Sequence, residues 1–108
     1  IYVVLNMDIM TRIGKAAFEG TGITKVVLPE RLTDIAEKMF LECRKLESIY
    51  IPKAVQTIGK EAFKDCSLRD VYYGGNEEQW KQLVRDHEEL NYITPHYNSS
   101  ALLATLSL

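Results

Sequence analysis

The sequence predicts an α/β fold in which short strand-and-turn units stack as a right-handed solenoid, with a short parallel sheet along one side and a helical cap at the C-terminal end. Three observations predict it: an isoleucine that recurs every 22 to 23 residues, a phenylalanine at a fixed distance after each, and an amphipathic segment with helix-start signals where the recurrence stops. At 108 residues the chain is one domain's worth, long enough for a compact unit to bury roughly two-thirds of its unfolded surface.

The register is set by Ile13, Ile35 and Ile58, each followed five residues later by Phe18, Phe40 or Phe63. Three residues before each isoleucine stand Met10, Leu32 and Val55, and directly after it the small residues Gly14, Ala36 and Gly59. Ala17, Met39 and Ala62 precede the phenylalanines, while Thr21, Cys43 and Cys66 lie three residues beyond them. Ile23, Leu46 and Leu68 then open an L-x-x-L-x-L stretch that continues through Val26 and Leu28, Ile49 and Ile51, and Val71 and Tyr73.

Alternating apolar residues ahead of Pro29 and Pro52 suit a short strand, because proline cannot donate to a ladder and so ends it. Between strands, Ile35-Ala36-Glu37-Lys38-Met39-Phe40 places apolar residues at i, i+4 and i+5 with charges between, which predicts one or two turns of helix or 3₁₀. A unit this small cannot bury both its strand face and its turn face, so neighbours must stack into one continuous core. The division expected is a single domain over 1–108: a truncated preceding strand at 1–7, repeats at 8–29, 30–52 and 53–74, and a C-terminal cap at 75–108.

Asn76 with Gln79 three residues on reads as an N-cap with its capping-box partner, and Glu77 and Glu78 sit where a helix dipole favours negative charge. Trp80, Leu83, Val84 and His87 then fall at i, i+3, i+4 and i+7, one apolar face able to close the end of the core. Asn91 to Ser100 has loop composition, and Leu102 to Leu108 is apolar enough for a last strand pairing onto the array. At the other end Ile1 to Leu5 reads as the strand of a preceding unit, and its edge is expected to contact upstream repeats or another chain. A chain that opens on Ile in mid-strand is expected to be processed or a fragment.

Thirteen basic against 15 acidic residues give a formal net charge of −2, which supplies no attraction for nucleic acid or an anionic membrane. The apolar run at Ile1 to Leu5 is too short to span a membrane, so no insertion is expected. Two cysteines are too few for a disulfide scaffold or a four-ligand zinc site.

The segment Ile35 to Phe63, containing Leu46-x-x-Ile49-x-Ile51-Pro52-x-x-Val55-x-x-Ile58-Gly59-x-x-Ala62-Phe63, resembles the BspA-type leucine-rich repeat family. Val71-Tyr72-Tyr73-Gly74-Gly75-Asn76-Glu77-Glu78-Gln79-Trp80 is similar to the terminal segment that often closes such arrays. Arg31 and Ala54 stand where the commoner leucine-rich pattern has an asparagine ladder. The resemblance implies a leucine-rich-repeat-like solenoid within a larger secreted or cell-surface protein, an adhesive role, and no catalytic residues or cofactor.

Each local candidate for chemistry competes with a structural reading. Cys43 and Cys66 would stack about 5 Å apart, within disulfide reach, yet equivalent side chains in a stack point the same way and Thr21 shares the column; a buried ladder of small residues is expected. His87 and His96 lack a second ligand at a metal-binding spacing, so no metal site is expected. Asp86, Glu88 and Glu89 read as a solvated helix face rather than half of a glycosidase carboxylate pair. Gly14-Lys15 and Gly59-Lys60 echo a phosphate loop but lack the following Ser or Thr and recur with the repeat. Asn98-Ser99-Ser100 has the form of a glycosylation acceptor, and Trp80 could stack on a sugar, although its place on the apolar stripe favours the core.

The remaining surface lies on the strands, where residues alternating with the buried ones face outward together. Its middle row is Val27, Tyr50 and Tyr72, flanked by Thr24, Glu47 and Arg69 on one side and Lys25, Ser48 and Asp70 on the other. Tyrosines among mixed charges suit protein recognition, since tyrosine offers large contact area at low entropic cost. The expected function is a non-enzymatic binding or adhesion module contacting a protein or glycan through this face. The alternative is a structural spacer or terminal repeat segment with no ligand of its own.

Overall fold

The computed structural model describes residues 2–4 and 12–100. The column position Met10 and the final strand expected at Leu102 to Leu108 lie outside the described residues. Four strands, β1 (Tyr2–Val4), β2 (Lys25–Val27), β4 (Ser48–Ile51) and β6 (Asp70–Tyr73), form one parallel sheet in the order β1-β2-β4-β6. Two shorter strands, β3 (Asp34–Ile35) and β5 (Thr57–Ile58), pair in parallel as a second sheet. The helix α1 (Glu77–Leu83) follows the last strand.

Pairing keeps the sequence columns in register: Val26 lies beside Ile49 and Ile49 beside Val71, so the apolar alternation of β2, β4 and β6 enters one shared core. After β2 and β4 the chain turns at once, with the Pro29 carbonyl accepting from Leu32 N–H (3.0 Å) and the Pro52 carbonyl from Val55 N–H (3.2 Å). The phenylalanine column is a stack of rings, Phe18 on Phe40 at 5.6 Å between centroids and Phe40 on Phe63 at 5.4 Å, with planes within 14°. Phe40 and Phe63 are buried; Phe18 is half-buried.

The segments expected to be helical are instead chains of tight turns. Two columns take left-handed backbone, Ala16, Lys38 and Glu61 at φ 57° to 59°, and Gly20, Glu42 and Asp65 at φ 59° to 68°. A right-handed helix cannot pass through such residues. Every second N–H closes a turn on its own segment, as Met39 on Ala36 and Cys43 on Phe40, while those between reach the next segment. Ala16, Phe18 and Gly20 donate to Glu37, Met39 and Leu41; Lys38, Phe40 and Glu42 donate to Lys60, Ala62 and Lys64. The backbone thus satisfies its donors across repeats, which a helix would have satisfied within them.

The small column after the isoleucines has a steric cause at one of its three members. A side chain at Gly59 would run into the Glu37 amide nitrogen and come within 2.7 Å of the Ala36 carbonyl carbon, because β3 and β5 draw the backbones together there. Among the described residues, nothing lies within 4 Å of a side chain placed at Gly14.

The capping box is formed as the sequence predicts: Asn76 Oδ1 accepts from Gln79 N–H (2.9 Å) and Gln79 Oε1 accepts from Asn76 N–H (2.7 Å). Trp80, Leu83 and Val84 are buried in the common core, with Trp80 tilted against Tyr73 at 5.2 Å. The helix ends before His87, which stands half-buried ahead of a single 3₁₀ turn at Glu88–Leu90. Residues 91–100 are more than the expected loop. Leu90 and Ile93 join the core, Tyr92 donates its hydroxyl to the Leu68 carbonyl (3.0 Å), and His96 forms a parallel bridge with Tyr72.

Candidate functional site

Six of the nine expected site residues lie on the strands, in rungs fixed by backbone pairing. Lys25 lies beside Ser48 and Ser48 beside Asp70; Val27 lies beside Tyr50 and Tyr50 beside Tyr72. The third row is held just before the strands: the Thr24 carbonyl accepts from Glu47 N–H (2.9 Å), and the Glu47 carbonyl accepts from Arg69 N–H (2.9 Å).

Their exposure is different from what the alternation implied. Val27 is 3% exposed, Tyr50 2% and Ser48 5%, so three of the nine present almost nothing to solvent. Val27, Tyr50 and the half-buried Tyr72 pack as a second apolar cluster, separate from the main core. Three bulky residues at adjacent rungs cover one another, which a reading of alternate positions does not register. The Tyr50 hydroxyl is bonded to the Glu30 carboxylate, and burial first, then that bond and the nearby charge, push its pKa upward. Tyr50 is therefore a floor for this face, and the exposed or half-exposed members are Thr24, Lys25, Glu47, Arg69, Asp70 and Tyr72.

One residue extends the face beyond the expected set. His96 continues the middle row past Tyr72, through Tyr73 N–H to the His96 carbonyl (2.9 Å) and His96 N–H to the Val71 carbonyl (2.8 Å). Its ring lies on that of Tyr72 with centroids 4.6 Å apart and planes 15° apart, and its Nε2 is 3.7 Å from Asp70 Oδ1. The signal was in the spacing: Val27 to Tyr50 is 23 residues, Tyr50 to Tyr72 is 22, and Tyr72 to His96 is 24. Beside this rung Arg69 Nη2 meets Glu47 Oε2 at 3.4 Å. Both contacts cross between rungs and are largely in solvent, so they orient side chains more than they stabilise.

The cysteine column is structural. Cys43 Sγ donates to the Phe18 carbonyl (2.9 Å) and Cys66 Sγ to the Phe40 carbonyl (3.1 Å), while Thr21 Oγ1 lies 3.6 Å from Cys43 Sγ. Both thiols are free, and burial, ahead of the neighbouring Cys43, pushes Cys66 up to about 12. A thiol held protonated and pointed at a carbonyl is a poor nucleophile. His87 Nδ1 lies 3.5 Å from Glu89 Oε1. Among the described residues no three His, Cys, Asp or Glu side chains converge as metal ligands, and no helix is long and apolar enough to cross a membrane.

The geometry can present a recessed aromatic row bordered by paired charges, a surface for recognition rather than bond-breaking. Comparison with known families matches residues 3–85 to the BspA type leucine rich repeat region (6 copies). No curated protein and no solved structure matches the chain.

Proposed function

The chain belongs to the BspA-type leucine-rich repeat family, a class of protein-interaction or repeat modules, and from that premise we propose that it is a non-enzymatic protein-binding module of a secreted or cell-surface protein, acting in adhesion. In this reading the strand-and-turn units are coils of a right-handed solenoid forming one domain over 1–108, with repeats at 8–29, 30–52 and 53–74 after a leading strand at 1–7. The segment 75–108, with α1 in it, is the cap. Contact is made through the outer sheet face: Thr24, Lys25, Glu47, Arg69, Asp70 and Tyr72 reach the partner, and Val27, Ser48 and Tyr50 form the floor beneath them.

The observation that carries this reading is the Tyr72–His96 ring stack, together with the Asp70–His96 contact and the Arg69–Glu47 ion pair. It also favours a protein over a glycan. A sugar is held by stacking on an open ring face, and here one face of Tyr72 is taken by His96 while the ring packs against Tyr50 and Val27. What Tyr72 leaves to a partner is an edge and a hydroxyl, suited to the mixed polar contacts of a protein interface.

The test is a parallel screen of the immobilised chain against an extracellular-protein array and a glycan array, followed by the double variant Tyr72→Ala, Arg69→Ala. A captured protein whose affinity falls at least about tenfold in the variant, with the melting temperature little changed, supports the reading. Capture of glycans alone, or unchanged affinity in the double variant, overturns it.

A further inference from the structure

Two cations line a hollow that no carboxylate enters. After β4 the chain turns at Pro52, and Gln56 N–H donates to the Thr33 carbonyl (2.8 Å), which fixes the turn that carries Lys53 and Gln56. Gly74 lets this turn approach the end of β6, since a Cβ there would stand 2.8 Å from the Lys53 amide nitrogen. On the other side α1 presents Gln79 and Gln82 one helical turn apart, and Arg85 follows just past its end. The hollow between them has a volume of about 500 Å³, and the buried Tyr73 lies at its base.

The neighbouring carboxylates are engaged or lie elsewhere. Glu77 is paired with Lys81 (3.3 Å), Glu30 is bonded to the Tyr50 hydroxyl, Glu78 lines an adjoining hollow with Lys81, and Asp86 lines the separate cleft beside Lys60. Among the described residues Lys53 and Arg85 stand in no ion pair, whereas Arg12, Lys15, Lys64, Arg69 and Lys81 each have one. Gln79 adds a donor of fixed position. The capping box holds its Oε1 on Asn76 N–H at 2.7 Å, so the Nε2 protons are what that side chain leaves to a ligand.

We propose that this hollow binds a phosphate or sulfate group. Its polar lining is an ammonium, a guanidinium and carboxamides, which can all donate, and it holds no negative charge to oppose an anion. The donors come from two sides, Lys53 and Gln56 from the turn and Gln79, Gln82 and Arg85 from α1 and its end. A carboxylate has two oxygens in one plane and is gripped from one side, whereas a tetrahedral oxyanion has oxygens for both. The hollow is also larger than the bare ion, which leaves room for the organic part of an ester. The site uses none of the residues assigned to the outer sheet face and does not depend on the reading given for it.

The experiment is a nuclear magnetic resonance titration of the isotopically labelled chain, at constant ionic strength, with inorganic phosphate, phenyl phosphate, phenyl sulfate and benzoate. The phosphate and sulfate probes should shift the side-chain amides of Gln56, Gln79 and Gln82 and the Arg85 Nε–H saturably, and leave the amides of Lys38 and Lys60 unmoved. Benzoate should bind at least about fivefold more weakly. The variant Lys53→Gln, Arg85→Gln changes two exposed residues, and it should weaken binding at least about tenfold while the circular dichroism stays the same. Tighter binding of the phenyl esters than of inorganic phosphate would support an organic ligand, and equal binding would support the free ion. No saturable shift, benzoate bound as tightly as the esters, shifts spread over the surface lysines, or unchanged affinity in the double variant would each overturn the proposal.

Discussion

The three phenylalanines occupy one column but not one environment. Among the described residues, Phe40 is sandwiched between two rings and fully buried, whereas Phe18 has a ring on one side and is half-buried. Phe40→Ala should therefore cost about 3–5 kcal/mol and Phe18→Ala roughly half of that, read from denaturant midpoints at constant m. Equal losses would mean that the stack does not distinguish its rungs. The Cys66 thiol supplies a pH dependence. Its folded pKa lies above its unfolded value of 9.0, at about 12, so its contribution is complete below pH 9 and is lost as the pH rises towards 12. Stability should fall from about pH 9 upward, joined above pH 10 by Tyr50, Tyr73 and Tyr92, whose pKa values burial also raises, and Cys66→Ala should flatten the slope between pH 9 and 10. These columns were legible because interior residue types recur with the chain's own period. The burial of Val27 and Tyr50 was not, because alternation tells which side of a strand a residue takes, not what its neighbours on that side cover.

At the scale of elements, the strands of the larger sheet and α1 are legible in the sequence, while β3, β5 and the turn segments are not. A strand announces itself by alternation and α1 by its capping box, both of which are side-chain patterns. The turn segments depend on φ above zero at Ala16, Lys38, Glu42, Glu61 and Asp65, residues that give no such signal, and only Gly20 hints at it. The apolar spacing at i, i+4 and i+5 fits a helix and also fits a run of turns stacked on a neighbour. The two can be told apart by substitution. In a helix interior Glu42→Gly would cost about 1 kcal/mol, whereas at a left-handed position removal of the Cβ relieves about 1–2 kcal/mol of strain against a similar or smaller entropic loss. Glu42→Gly and Lys38→Gly should each be neutral or stabilising by up to about 1 kcal/mol. A loss of 1 kcal/mol or more in both would restore the helical reading.

For the whole molecule the question is whether α1 and the segment after it belong to the same cooperative unit as the repeats. In an array where each unit touches only its neighbours, ends can unfold ahead of the middle. Several contacts argue against that here. Trp80, Leu83, Leu90 and Ile93 lie in the cluster that also holds Phe40 and Ile49, and Tyr73 of β6 packs directly on Trp80. His96 and Ser99 bond to the backbone of β6 at Val71 and Tyr73, so leaving would bare the edge of that strand opposite β4. The chain has one tryptophan, at the position that reports on this end. Denaturant unfolding followed by Trp80 fluorescence and by far-ultraviolet circular dichroism should therefore give one midpoint. Trp80→Ala should cost about 3–5 kcal/mol, a large share of the roughly 5–15 kcal/mol that holds a domain, and should destabilise the repeats as a whole. If fluorescence changes first while the sheet signal persists, or the variant keeps the original midpoint by circular dichroism, then this end is a separate unit resting on the array, and the single-domain reading fails.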